Sequence, residues 1–374
     1  MLIGALATLG ASPRKPISPE PTAILPAEPV WTLMLETPPS AGGAIDAHRV
    51  YVPVDEGGVR AFARDTGALV WSDPASTRMP LLAAGGRLFT VPGAEVRALA
   101  PGTGELLWRR EIDGGIAAPP IHDDGRLIVS TGAGDVVALA DADGGVLWRR
   151  ALGARSRHPA SPLPPSRVVL VLDDGRVVAL AGATGEIAWE RPLPGTLSAP
   201  ATARDRVLVG STDNFFYALD AQSGDEVWRW RTGGDVIGAA AQDDRVYFAS
   251  LDNVLRAVNR GNGNQIWKAA MPTRPSRPPI AFGDVVVVTG VSPRLDAFLG
   301  RTGAPLGSYT APGDLQDAPL IDTAPDPFEV AVVVLMRDGR MTGLRPTRLA
   351  FPDPPLVPLL RLPGRELPAE RPGW

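Results

Sequence analysis

Apolar residues in this chain come in short, β-branched bursts separated by polar turns. The segments 49–62 (RVYVPVDEGGVRAF), 126–139 (RLIVSTGAGDVVAL) and 206–219 (RVLVGSTDNFFYAL) each read as strand, tight turn, strand. The same block recurs at 87–99, 167–180, 245–258, 285–298 and 330–344, so there are eight. A shorter apolar stretch precedes each block, as in 198–205 and 276–284. The 3.6-residue spacing of an amphipathic helix is sustained nowhere.

A second frame follows each of the first seven blocks but not the eighth. It reads AFARDTGALVW at 61–71, ALADADGGVLW at 138–148 and ALDAQSGDEVW at 218–228. Alanine opens the frame, glycine stands four residues before the tryptophan, and a small polar residue precedes that glycine. This is a hairpin: a strand ends, glycine supplies the positive φ of the turn, and a new strand carries the tryptophan. The tryptophans are Trp31, Trp71, Trp108, Trp148, Trp189, Trp228 and Trp267, at intervals of 37 to 41 residues. Gly307 holds the next position and keeps the Thr-Gly turn without the aromatic.

Four strands per repeat of about forty residues, eight times, predict an all-β, eight-bladed β-propeller of four-stranded blades. A β-solenoid has the same local signature. Trp31 argues against it, because no block of its own precedes it. An N-terminal strand carrying Trp31 is expected to complete the last blade and close the ring, which removes an open edge. The propeller is placed at 30–346. Residues 1–29 are an apolar start (MLIGALATLG) and a linker with six prolines over 12–29. The start is either a remnant secretory signal lacking its basic region or a disordered terminus. Residues 347–374 form a Pro-rich tail with scattered leucines, expected to dock on a partner as an extended segment.

The frame Ala-x-Asp-x-x-(Ser/Thr)-Gly-x-x-x-Trp is complete at Ala218, Asp220, Ser223, Gly224 and Trp228. It resembles the tryptophan-docking motif of pyrroloquinoline-quinone (PQQ)-type propeller repeats over about residues 30–345. The resemblance implies that the seven tryptophans pack between blades, each N–H bonding a nearby backbone group. Within that superfamily the plan is similar to the BamB-like outer-membrane assembly factors: a flexible N-terminal segment, eight repeats and no long insertions. That likeness implies a non-enzymatic protein-interaction scaffold of the bacterial cell envelope or periplasm. It also implies a partner-contacting loop after the fourth docking tryptophan, here residues 149–162 with Arg155 and Arg157. The family's arginine there is flanked by leucines, whereas Arg157 is preceded by Ser156.

Composition sharpens this. The chain has 374 residues and no cysteine. Disulfides, Cys-type metal sites and a lipidated cysteine anchor are therefore excluded. So is the vicinal cysteine pair that the quinoprotein alcohol dehydrogenases, the enzymatic branch, place beside PQQ. No cofactor is expected; a PQQ-binding oxidoreductase or a sensor propeller stands as the alternative. Net charge is only −4, which gives no pull toward nucleic acid. No run reaches the length of a transmembrane helix.

Candidate chemistry is sparse. His48, His122 and His158 fall in different blades without metal-ligand spacing; His48 is read as preceding a strand and His122 as following one. Acidic residues recur between the second and third strands of the blades: Asp55, Glu56, Asp135, Asp173, Asp174, Asp213, Asp252 and Asp338. With Asn214 and Asn253 they have the oxygen chemistry for Ca²⁺, but Asp-Gly and Asp-Asn are also favoured turn formers, and the turn reading is preferred. Arginines cluster at 149–157, 229–231 and 274–277. Arg155, Arg157, Arg274 and Arg277 lie on connections from a fourth strand to the next first strand. They are the candidate partner-binding residues.

Overall fold

The computed structural model describes residues 24–322 and 332–347. Within them, thirty-two strands, β1 to β32 in chain order, form eight four-stranded antiparallel sheets. The first blade shows the plan: β2 (Ala44–Ile45), β3 (Arg49–Val54), β4 (Gly58–Ala63) and β5 (Leu69–Asp73), in that spatial order. Inner strands are short and outer ones longer, as blades fanning from an axis require. The inner strands of most neighbouring blades touch around that axis, including β2 with the inner strand of the eighth blade, β30 (Leu320–Ile321).

The last blade is closed by the N-terminus. Its order is β1 (Ala27–Met34), β32 (Arg340–Pro346), β31 (Val332–Leu335), β30, with Trp31 opposite Gly343. The outermost strand of the eighth blade thus comes from the other end of the chain.

The core lies between blades. Each second strand, such as β15 (Arg167–Val171), is buried along nearly its whole length. Its side chains interleave with those of neighbours: Ile128, Ala138 and Trp148 of the third blade pack with Leu170, Val178 and Leu180 of the fourth. The tryptophans set the pitch. Trp148 Nε1 donates to Gly182 O in the next blade at 2.9 Å. The same bond joins Trp31 to Arg64 O, Trp71 to Pro101 O, Trp108 to Asp141 O, Trp189 to Ala221 O, Trp228 to Arg260 O and Trp267 to Gly300 O.

Two features of the repeat follow from this packing. The indole of Trp148 lies on Gly185, where a Cβ would come within 2.4 Å of ring atom Cε3. Gly185 also has φ +68°, so the position demands glycine for conformation and for space. Directly across the sheet from six of the seven tryptophans stands the frame's alanine, as in the pairs Ala138–Trp148 and Ala179–Trp189, and Trp31 faces Gly343. A larger residue there would meet the indole.

Gly307 departs from the series for a topological reason. An indole at that position would dock on the hairpin between the third and fourth strands of the eighth blade. That hairpin does not exist, because β32 and β1 come from opposite ends. Leu25 and Pro26 occupy the space instead: a Cβ on Gly307 would lie 2.7 Å from Pro26 N and 3.0 Å from the Leu25 carbonyl carbon. Ile24 and Leu25 are buried among Val285, Val287, Leu295, Val332 and Val334 of the last two blades. The ends are then tied, since Thr347 donates its backbone N–H and its hydroxyl to Pro26 O at 2.9 and 2.7 Å.

Candidate interblade clefts

In a four-stranded meander the turns between second and third strands share a face with the connections from fourth to first strands. The expected acidic turns and arginine loops therefore meet on one face of the ring. Among the described residues, clefts open there between such turns and connections.

The cleft between the fourth and fifth blades has a volume of about 260 Å³ and is lined by Arg157, His158, Leu172, Asp173, Gly195 and Leu197, among others. Its arginines sit on the connection between β13 (Val146–Ala151) and β14 (Ser161–Leu163). This loop is held in place locally. Ser156 is buried and donates to His158 O, and Asp173 N donates to Arg155 O. Asp173 then receives both arginines: Arg155 Nε lies 2.7 Å and Arg157 Nε 2.8 Å from the same Oδ2. The hydrogen bond from Arg155, then that from Arg157, hold the Asp173 carboxyl below the usual carboxylate range. Burial pushes the His158 imidazole pKa down, so the ring favours its neutral form. Both arginines keep about half of their side-chain surface exposed, 48% for Arg155 and 62% for Arg157.

Arg274 and Arg277 lie on the connection between the sixth and seventh blades, three connections away around the same face. Arg274 is exposed. Arg277 Nε donates to Asp317 Oδ1 at 2.6 Å. The four candidate arginines thus form two separate groups on one face.

Most of the other acidic positions have local side-chain partners; Asp55 and Glu56, on the turn of the first blade, line another of these clefts instead. Asp174 takes Arg176, Asp338 takes Arg340, and Asp252 takes Arg256 and Ser250. Asp135, which opens the third strand of its blade, takes Arg149. Asp213 accepts from the Tyr217 hydroxyl at 2.5 Å and from Phe215 N. Asn214 and Asn253 take the left-handed conformation at φ 67° and 61°, as turn formers do. Among the described residues no three His, Cys, Asp or Glu side chains converge as a metal-binding group. Apart from Asp55 and Glu56 these donors are already engaged by arginines, hydroxyls and turn amides, and such a set does not fit a Ca²⁺–PQQ chamber.

The histidines are dispersed. His48 precedes β3, and its backbone N–H donates to Asp46. His122 is a correction: it lies within β10 (Ile121–Asp123), with Nε2 at 2.9 Å from Asp141 Oδ2. Its ring stacks near Phe89, and Asp141 belongs to the turn that docks Trp108. That places it on the opposite face of the ring, in a structural contact.

Asp173 and Asp317 are the residues whose pairing the sequence reading missed. The signal was topological, since each lies on the same face as its arginine, one turn or connection away.

The family model for outer membrane protein assembly factor BamB matches residues 55–197 and 173–328. The chain belongs to this BamB family of PQQ-type propellers. No curated protein matches it significantly. Among solved structures, BamB from Moraxella catarrhalis is similar at 18% identity and a TM-score of 0.53, covering 85% of this chain and 99% of that one. The computationally designed Ika8 protein is similar at 16% identity and a TM-score of 0.71, covering 84% and 98%. The quinohemoprotein alcohol dehydrogenase ADHIIG from Pseudomonas putida HK5 is similar at 14% identity and a TM-score of 0.66, covering 97% and 80%. At these identities the structural likenesses establish the propeller fold.

Proposed function

We propose that this BamB-family propeller is a non-enzymatic docking protein of the bacterial cell envelope. The face bearing the interblade clefts presents Arg155, Arg157, Arg274 and Arg277 to protein partners, in the manner of an outer-membrane assembly factor. The observation that carries this is the Arg155–Asp173–Arg157 group. It is fixed by its own loop, half exposed, and beside a cleft of about 260 Å³. Preorganised, half-exposed arginines beside a cavity suit a protein partner, because arginine is enriched at interfaces and little ordering entropy remains to be lost.

Affinity purification from the native host's envelope, comparing the natural chain with the Arg155→Ala/Arg157→Ala variant, tests it. A defined set of partners retained by the first and lost by the second, at equal thermal stability, is expected. Identical partner sets overturn the assignment of this face. Dye-linked alcohol oxidation after incubation with PQQ and Ca²⁺ would overturn the non-enzymatic reading.

A further inference from the structure

The cleft between the seventh and eighth blades has a different chemistry from the one just described. It measures about 280 Å³ and lies on the same face. One wall is Arg277, already neutralised by Asp317 at 2.6 Å. The opposite wall is Arg337, an exposed residue on the turn between β31 and β32. Arg337 is oriented by neutral groups: its backbone N–H donates to Asp314 O at 2.9 Å, and its Nε to Leu315 O at 3.2 Å. Among the described residues no carboxylate lies within ion-pair distance of its guanidinium.

Two further features mark the cleft. Ser292 Oγ is shielded from solvent in its wall and has no hydrogen-bond partner. A buried hydroxyl in that state costs free energy until a partner arrives. Val291 on the lip is 69% exposed, the highest value among the large apolar residues described. A positioned cation, an orphan hydroxyl and an apolar lip match a carboxylate on a short apolar stem. Two carboxylates also line it: Asp317, which is paired with Arg277, and Asp314, whose side chain makes no ion pair among the described residues.

We propose that this cleft is a binding site for an acidic side chain on an extended segment of a protein partner. The carboxylate would be received by Arg337 and, once the Ser292 side chain turns into the cleft, by its hydroxyl, and its stem would be covered by Val291. The source of the side chain rests on the docking function above. The site itself is tested apart from it, because the probe is a synthetic peptide rather than a cellular partner.

The experiment is an NMR titration of the full chain with acetylated, amidated Ala-Val-Glu-Val-Ala, its Gln counterpart and inorganic phosphate. The Glu peptide should shift the Ser292, Val291 and Arg337 signals with a dissociation constant in the millimolar range or tighter. The Gln peptide should bind at least about tenfold more weakly. Arg337→Gln should lose the difference between the two peptides, and Ser292→Ala should reduce it. Asp314→Asn should tighten Glu-peptide binding by about threefold, because a like charge is removed. Equal binding of both peptides, or no effect of Asp314→Asn, overturns the proposal. So does phosphate shifting the same signals as strongly as the Glu peptide, since the site would then be one for small anions. Failure here leaves the Arg155–Arg157 purification to decide docking on its own terms.

Discussion

Gly185→Ala isolates what a docking tryptophan contributes to the ring. Gly153 supplies the matched control. Both glycines have positive φ, +68° and +76°, but the space around a new methyl differs. At Gly153 no atom lies within 4 Å of a built Cβ; at Gly185 the Trp148 ring lies at 2.4 Å. Forcing a non-glycine residue into the left-handed region costs about 1–2 kcal/mol. A more restricted unfolded chain returns about 0.4–1 kcal/mol of that. Gly153→Ala should therefore destabilise by about 1 kcal/mol. Gly185→Ala must in addition push the indole off its seat. That forfeits the bond to Gly182 O, about 1 kcal/mol, and part of the ~3–5 kcal/mol that deleting a buried large aromatic costs. A total of about 3–5 kcal/mol is expected. Urea unfolding reads both variants as shifts in midpoint at unchanged slope. Equal shifts for the two alanines would refute the claim that the indole contact, rather than the backbone conformation, fixes glycine in the repeat.

Other expectations follow from the seam and the cleft face. Leu25→Ala should cost about 2–4 kcal/mol, because Leu25 is fully buried between the last two blades. Met34→Ala at the end of β1, 62% exposed, should stay within about 0.5 kcal/mol in the same denaturation assay. Ending the chain after Thr347 should leave thermal unfolding nearly unchanged. Ending it before Thr347 should lower stability by about 1–2 kcal/mol, since both of its bonds to Pro26 O are lost. Asp173 has its folded pKa below the ordinary carboxylate value. Its ion pairs therefore stabilise the fold above the unfolded-state pKa, and this is lost as pH falls through the folded value. In Arg155→Ala/Arg157→Ala an NMR titration of Asp173 should show its pKa rising toward the ordinary value; an unchanged pKa would contradict the pairing.

The architecture was legible because its signals are local and repeated. Tryptophan at intervals near forty, glycine four residues before it and a β-branched run upstream each report a hairpin, and eight hairpin units close a ring. The orphan Trp31 announced the exchange of strands between the termini, which β1 and β32 display. Gly307 was visible only as an exception. Its cause, Leu25 filling the place of an indole, involves residues far apart in sequence and needed coordinates. The arginine loops were found by composition. Their charge state at the surface was not, because Asp173 and Asp317 reach them from neighbouring elements. His122 was misplaced because the innermost strands have only two or three residues in most blades, too short to show alternation. Most of the Pro-rich tail lies outside the described residues, so its docking stays an expectation beyond Thr347.

The knot at Pro26 and Thr347 also has a mechanical meaning. The two strands it joins run antiparallel, and both described ends leave the ring at the same end of that pair. A force applied through the two termini would act across the ladder rather than along it. It would open first the pair Ala27–Pro346, then Glu28–Arg345, one rung at a time. The seam that completes the circle would therefore be its zip fastener. Apart from the seventh blade, which holds Ile24 and Leu25, the other blades, each stitched from consecutive strands, would carry little load until it had run.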